Sequence, residues 1–218
     1  MKIKVVYEDN HIIVVEKPYG IPTQADSSND IDMQTLVKNY VKEKYNKPGN
    51  VFIGIVHRLD RNVGGIMVFA RTSKAAARLS EEIRTHRFKK TYLAKVEGVI
   101  EEKAGVFKDY LLKDEEKNMV KVVPANTPNA KEAELDYEVI KVEDKKTFVK
   151  INLHTGRSHQ IRVQFASRGH ALVGDTKYGK IGAKHIFLWA YKVSFKHPVK
   201  DEIMNFTLEP SRGFFSLI

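Results

Sequence analysis

A chain of 218 residues can bury about 70% of its unfolded surface and needs no covalent staple. Its 42% apolar and 29% charged content is that of a folded protein, and the absence of cysteine excludes a disulfide framework, a cysteine-liganded metal and a thiol nucleophile. Lys and Arg number 37 against 27 Asp and Glu, a formal net charge of +10, so a polyanionic partner is expected, nucleic acid before a membrane surface.

The distribution of that charge separates a binding face from mere solubility. His57–Ile100 carries a net +6 and His154–Lys184 a net +5, leaving the remainder at −1. Five of the eight histidines also lie in these two segments. The N-terminal residues lack an apolar signal core, and no apolar run approaches the roughly 18 residues of a membrane span. A cytoplasmic protein without a membrane partner is expected.

In chain order, Lys2–Asp9 and Ile12–Lys17 read as strands around an Asp9-Asn10 turn, the second ended by Pro18, Gly20 and Pro22. Ile31–Tyr45 places Leu36, Val37, Tyr40 and Val41 at helical spacing. After a Lys47-Pro48-Gly49-Asn50 turn, Val51–Val56 and Ile66–Ala70 read as strands on either side of a loop. The next helix starts near Thr72 or Ser73, runs to about His86 and should bury Ala76, Leu79 and Ile83. Strands follow at Tyr92–Val96, Val106–Leu112, Met119–Val123, Ala133–Val142 and Thr147–Leu153. Ser158–Arg168 reads as a short helix, and Ile186–Phe195 and Ile203–Leu208 as late strands. Strands outnumber helices without alternating regularly with them. The pattern points to one α+β domain over residues 1–218, built on a mixed, mainly antiparallel sheet flanked by helices, and not to a doubly wound fold.

Familiar phosphate loops and nucleophile elbows are missing, and the spacing of His154 and His159 does not suit a helical metal pair. No metal site is expected. Two segments can carry chemistry. In His57-Arg58-Leu59-Asp60-Arg61-Asn62-Val63-Gly64-Gly65, one carboxylate sits between two arginines on a loop held by flanking strands. Such an Asp stays ionised and can act as nucleophile or electrostatic stabiliser; a turn or a salt bridge is the plainer account. In Leu153–Val163, a helix start beside Arg157 and His159 suits a phosphate, and Arg162, near the edge of the buried face, can reach inward to a carboxylate. A solvated basic helix is the plainer account there. Between them, Lys89, Lys90 and Tyr92 in FKKTYL interleave cations with aromatics, as nucleic-acid binding requires, although a half-buried strand with Tyr92 in the core explains the same spacing.

Together these blocks resemble the RluA-type pseudouridine synthases. The likeness rests on HRLD with a following Gly pair (His57–Ala70), KKTYLAKVEG (Lys89–Gly98) and TGRSHQIRVQFASRGHALVGDTKYG (Thr155–Gly179). YEDNHIIVVEKPYGIP (Tyr7–Pro22) and FLWAYKVSFKHP (Phe187–Pro198) resemble the family's first and last blocks. The resemblance implies a mixed sheet around a central basic cleft and isomerisation of a uridine within ribosomal or transfer RNA, with no cofactor. It implies that Asp60 is the essential aspartate, that Tyr92 stacks on the target base, that Arg162 pairs with the catalytic carboxylate and that Arg58 takes part in extruding the nucleotide. Lys89, Lys90, Arg157 and His159 are expected to hold RNA. Val63-Gly64-Gly65 departs from the family's usual Thr-Ser-Gly, which removes two hydroxyls that could fix the loop. Trp189 replaces a frequent His. A catalytically silent RNA-binding protein on the same scaffold is the alternative.

Overall fold

The computed structural model describes residues 2–179, 185–211 and 214; Lys180 and Lys184, counted above in the second basic segment, lie outside them. The strands are β1 (Lys4–Glu8), β2 (Ile12–Lys17), β3 (Gly54–Ile55), β4 (Gly64–Ala70), β5 (Lys89–Glu97), β6 (Ala104–Asp114), β7 (Met119–Val123), β8 (Lys131–Glu143), β9 (Lys146–Leu153), β10 (Leu188–Lys196) and β11 (Ile203–Thr207). The helices are α1 (Met33–Lys44), α2 (Ser73–Arg84) and α3 (Gln160–Ala166). Strands dominate, as expected, and the Val51–Val56 run contributes only the two residues of β3. The chain divides into two compact units, Met1–Lys89 with Ala190–Ile218, and Lys90–Trp189.

In the first unit, β2 lies between β1 and β4 and pairs antiparallel with both. Both faces of β2 are buried as well, so the strand takes a continuous apolar run. Ile12, Ile13, Val14 and Val15 are accordingly fully buried, as is Ile66–Ala70 on β4. β3 also pairs with β4, and β11 pairs antiparallel with β10. The carboxylate of Asp32 caps α1 by accepting the Thr35 N–H, and the helix buries Met33, Leu36, Val37 and Val41. Thr72 caps α2 in the same manner through the Ala75 N–H.

The buried stripe of α2 differs from the expected one. Ala75, Leu79 and Glu82 face inward, while Ala76 and Ile83 are only partly buried. Glu82 is tolerated there because Arg87 Nε donates to its carboxylate at 2.8 Å. Its carbonyl accepts the N–H groups of Arg87 and Phe88, ending the helix.

The second unit is a sheet in the order β5-β9-β8-β6-β7, antiparallel throughout. Alternation along β8 buries Ala133, Leu135 and Tyr137 on one face. Phe107, Tyr137 and Phe165 pack ring on ring with centroids 4.9–5.7 Å apart. This seats α3 on the sheet.

Gly65, the second residue of β4, sits at φ +124°, and a Cβ there would lie 2.3 Å from the Ala190 carbonyl oxygen. Both the backbone angle and the close approach demand glycine. Gly65→Ala should therefore cost about 2–5 kcal/mol, from overpacking plus backbone strain. A urea-unfolding midpoint checks it.

Candidate active site

In the first unit the site is the loop from His57 to Gly64, which joins β3 to β4. His57 Nε2 accepts the Val68 N–H at 3.0 Å and ties the loop's start to the strand that follows it. Thr23 makes reciprocal bonds with Leu59: its hydroxyl donates to the Leu59 carbonyl at 2.9 Å and accepts the Leu59 N–H at 3.2 Å. Gly20 N–H donates to the Arg61 carbonyl, and Val63 N–H closes a turn on the Asp60 carbonyl.

The deepest tether is Lys17, the last residue of β2. It is fully buried. Its ammonium donates to the carbonyls of Pro18, Arg61 and Val63 at 3.0, 2.9 and 2.7 Å. Burial pushes Lys17 down to about 7, while the charge of Asp60 opposes that fall and Arg61 adds to it. Sequence reading missed this lysine because a Lys at a strand's end reads as a solvent contact. Where the loop lacks the Thr-Ser hydroxyls, backbone carbonyls gathered on one ammonium hold it.

The loop so held presents Asp60 half-buried and Arg58 exposed. Arg61 does not serve the aspartate in the expected way. Its guanidinium binds Asp26 at 2.9 Å, together with Asp30 and the Ser28 hydroxyl. The charges of Lys17 and Asp60 attract each other.

In the second unit, Tyr92 is 6% exposed on β5, opposite Ile151. Lys89 is exposed and Lys90 half-buried. Lys90 Nζ lies 3.1 Å from where a Gly156 Cβ would be, so the loop after β9 is shaped around it. Burial pushes Lys90 down to about 8. Arg157 is exposed, with Nε donating to the Glu132 carbonyl at 2.8 Å. His154 shares a 2.6 Å hydrogen bond with Asp136. No group of three His, Cys, Asp or Glu that could hold a metal occurs among the described residues.

Arg162 does reach inward to a carboxylate, and that carboxylate is Asp175. Nε donates to Oδ2 at 2.7 Å and Nη2 to Oδ1 at 2.8 Å. The two side chains are 7% and 0% exposed. Burial opposes the charge on Asp175, yet the Arg162 bonds and the N–H groups of Lys177 and Tyr178 hold it below the usual carboxylate range. The Arg162 guanidinium also lies 5.2 Å from the Tyr178 ring centroid. Tyr178 in turn accepts the Val120 N–H and shares a 2.8 Å bond with His159 Nδ1. His159 takes a left-handed backbone, φ +51°, at the start of α3. A signal for Asp175 existed, since it is the sole acid in His154–Lys184.

The sequence matches the model of the RNA pseudouridylate synthase family over residues 11–167. A protein of Aquifex aeolicus named an uncharacterized RNA pseudouridine synthase is 32% identical, with 99% of this chain and 72% of that protein covered. Ribosomal large subunit pseudouridine synthase C of Vibrio parahaemolyticus is 30% identical, with 92% and 64% covered. The chain thus spans about two thirds of the length of such relatives. Among solved structures, Human RNA Pseudouridylate Synthase Domain Containing 4 superposes with a TM-score of 0.82 at 21% identity, covering 97% of this chain and 90% of that one.

Lys17 yields a pH test. Its folded value of about 7 lies below the ordinary 10.5, so unfolding takes up a proton between those limits and native stability rises with pH across the window. Lys17→Met should remove that rise, and each carbonyl left without a donor should cost about 1–3 kcal/mol. Urea unfolding of both proteins at several pH values between 7 and 10 measures the difference.

Proposed function

We propose that this chain, which belongs to the RNA pseudouridylate synthase family, converts uridine to pseudouridine within ribosomal RNA. The observation that carries this reading is the Asp60 loop. Buried donors from Lys17 and Thr23 are spent on holding a half-exposed carboxylate in place, which a protein that only binds a polyanion does not require. The ribosomal substrate is supported by relatives named ribosomal large subunit pseudouridine synthase C.

In the proposed reaction the bond from the ribose C1′ to uracil N1 breaks, the base turns while held, and a bond from C1′ to C5 forms. The C5 proton leaves and N1 gains one, so atoms balance without an oxidant, metal or cofactor. Asp60 acts on the ribose or the base. Tyr92 stacks on the target base; stacking contributes about 1–3 kcal/mol against an unstacking cost of a few kcal/mol. Arg162, steadied by Asp175, supplies the cation for the reacting carboxylate, and Arg58 assists in extruding the nucleotide. Lys89, Lys90, Arg157 and His159 hold phosphates. The family match runs through both compact units, which supports a reaction that uses residues of both, and the setting proposed for it is the cytoplasm.

Tritium release from RNA labelled at uracil C5 tests the reading. Wild type should release tritium from ribosomal RNA, and Asp60→Asn should lower the rate at least 1,000-fold, about 4 kcal/mol in the barrier. No release by wild type from ribosomal or transfer RNA would leave a silent RNA-binding protein. Arg162→Ala should reduce turnover more than RNA affinity; a uniform affinity loss with unchanged turnover would place that arginine on phosphates. Neutralising Lys89 or Lys90 should flatten the salt dependence of binding by about 0.7–0.9 in log–log slope per lost phosphate contact.

A further inference from the structure

The described residues include a groove that none of the family-like blocks touches. It lies in the first unit between α1 and the segment leading into β3, has a volume of about 640 Å³, and is lined by Lys38, Asn39, Lys42, Asn50 and Phe52 among others, with no carboxylate in its lining. Lys38 and Lys42 stand one turn apart on α1, on the same face. Neither has an ion-pair partner among the described residues, whereas Lys44 on the same helix is paired with Glu8. The two charges facing the groove are therefore left to an outside anion.

Phe52 gives the groove a second chemistry. It is 49% exposed, so a face of the ring is open to a stacking partner. The ring is not adrift: a Cβ on Gly54 would come within 3.2 Å of its Cε1 and Cζ atoms. The wall that carries it is also fixed, because Gln34 Nε2 donates to the Ile53 carbonyl at 2.7 Å. Cations and a positioned aromatic lining one groove, together with Asn39 and Asn50, match a nucleotide chain, whose phosphates meet the lysines while a base stacks on the ring. An acidic peptide would meet the lysines but brings no base to stack on the ring.

We propose that this groove is an RNA subsite, in which a single-stranded segment flanking the target uridine places phosphates on Lys38 and Lys42 and a base on Phe52. The proposal rests on the RNA reading above and adds a binding locus outside the Asp60 loop. It would supply grip on substrate without touching the reacting atoms.

The test uses the full chain and a fluorescent 12-nucleotide oligouridylate, with affinity measured by anisotropy over a range of salt. Lys38→Gln with Lys42→Gln should weaken binding about tenfold at moderate salt and lower the log–log salt slope by about 1.4, the value for two lost contacts on a single strand. Phe52→Ala should weaken binding about tenfold with the slope unchanged, and Phe52→Trp should retain affinity. Thermal midpoints equal to wild type exclude unfolding as the cause. In tritium release, the lysine variant should raise KM on a ribosomal stem–loop bearing a single-stranded flank and leave kcat unchanged. Affinity and slope equal to wild type in every variant would overturn the subsite while leaving the isomerase reading intact. Loss of affinity in the lysine pair alone, with poly-glutamate competing as well as the oligonucleotide, would also overturn it. Affinity losses as expected, with no tritium release by wild type, would uphold the subsite and sink the isomerase.

Discussion

The first unit's site depends on one buried ammonium. Lys17 ends β2 and directs its three donors at the carbonyl of its neighbour Pro18 and at two carbonyls of the Asp60 loop. A cation removed from water in this way is costly unless every donor is satisfied and a counter-charge is near. The loop supplies both, as carbonyl oxygens and as Asp60. The dependence is mutual: the loop is folded around the lysine, and the charge of the loop's aspartate opposes the loss of the lysine's proton that burial favours. A substitution that neutralises Asp60 therefore loosens the electrostatic hold on the residue that shapes the loop.

The second unit solves a similar problem with the signs reversed. There the fully buried group is a carboxylate, Asp175, and the group it steadies is the Arg162 guanidinium. A bidentate fork fixes the plane of the guanidinium as well as its position. Tyr178 extends the arrangement, lying against Arg162 with its ring and bonding His159 and Val120 through its hydroxyl. Residues expected to act separately, one on a carboxylate and one on phosphate, thus share a neighbour. A change at His159 should be felt at Arg162 through that tyrosine.

Legibility in the sequence followed the range of the forces involved. β2 and β4 were plain because a strand covered on both faces must be apolar throughout, and Ile12–Val15 and Ile66–Ala70 are. The Asp60 loop was plain because glycines and charges interrupt that pattern. The stripe of α2 was read slightly out of phase, since Glu82 looks like a solvent residue until Arg87 is seen to pair with it. Arg61 looked like a partner for Asp60 because they are adjacent, but Asp26 and Asp30, more than 30 residues away in sequence, hold its guanidinium. Lys17 and Asp175 were missed for a common reason. Their roles lie in tertiary partners 44 and 13 residues distant, and local spacing carries no trace of such contacts.

The close approach of Gly65 to Ala190 joins parts of the chain separated by the whole second unit. The first unit is discontinuous; the second is one uninterrupted stretch, Lys90–Trp189. Contacts so remote in sequence carry a large loop-closure entropy and form late unless the intervening chain has already condensed. During synthesis the inserted unit can condense while β2 and β4 still lack β10 on their flank. Strand β4, which follows the Asp60 loop, would then gain its Ala190 neighbour only after residue 190 has emerged, so the loop's own tethers can form well before the flank of that strand is complete.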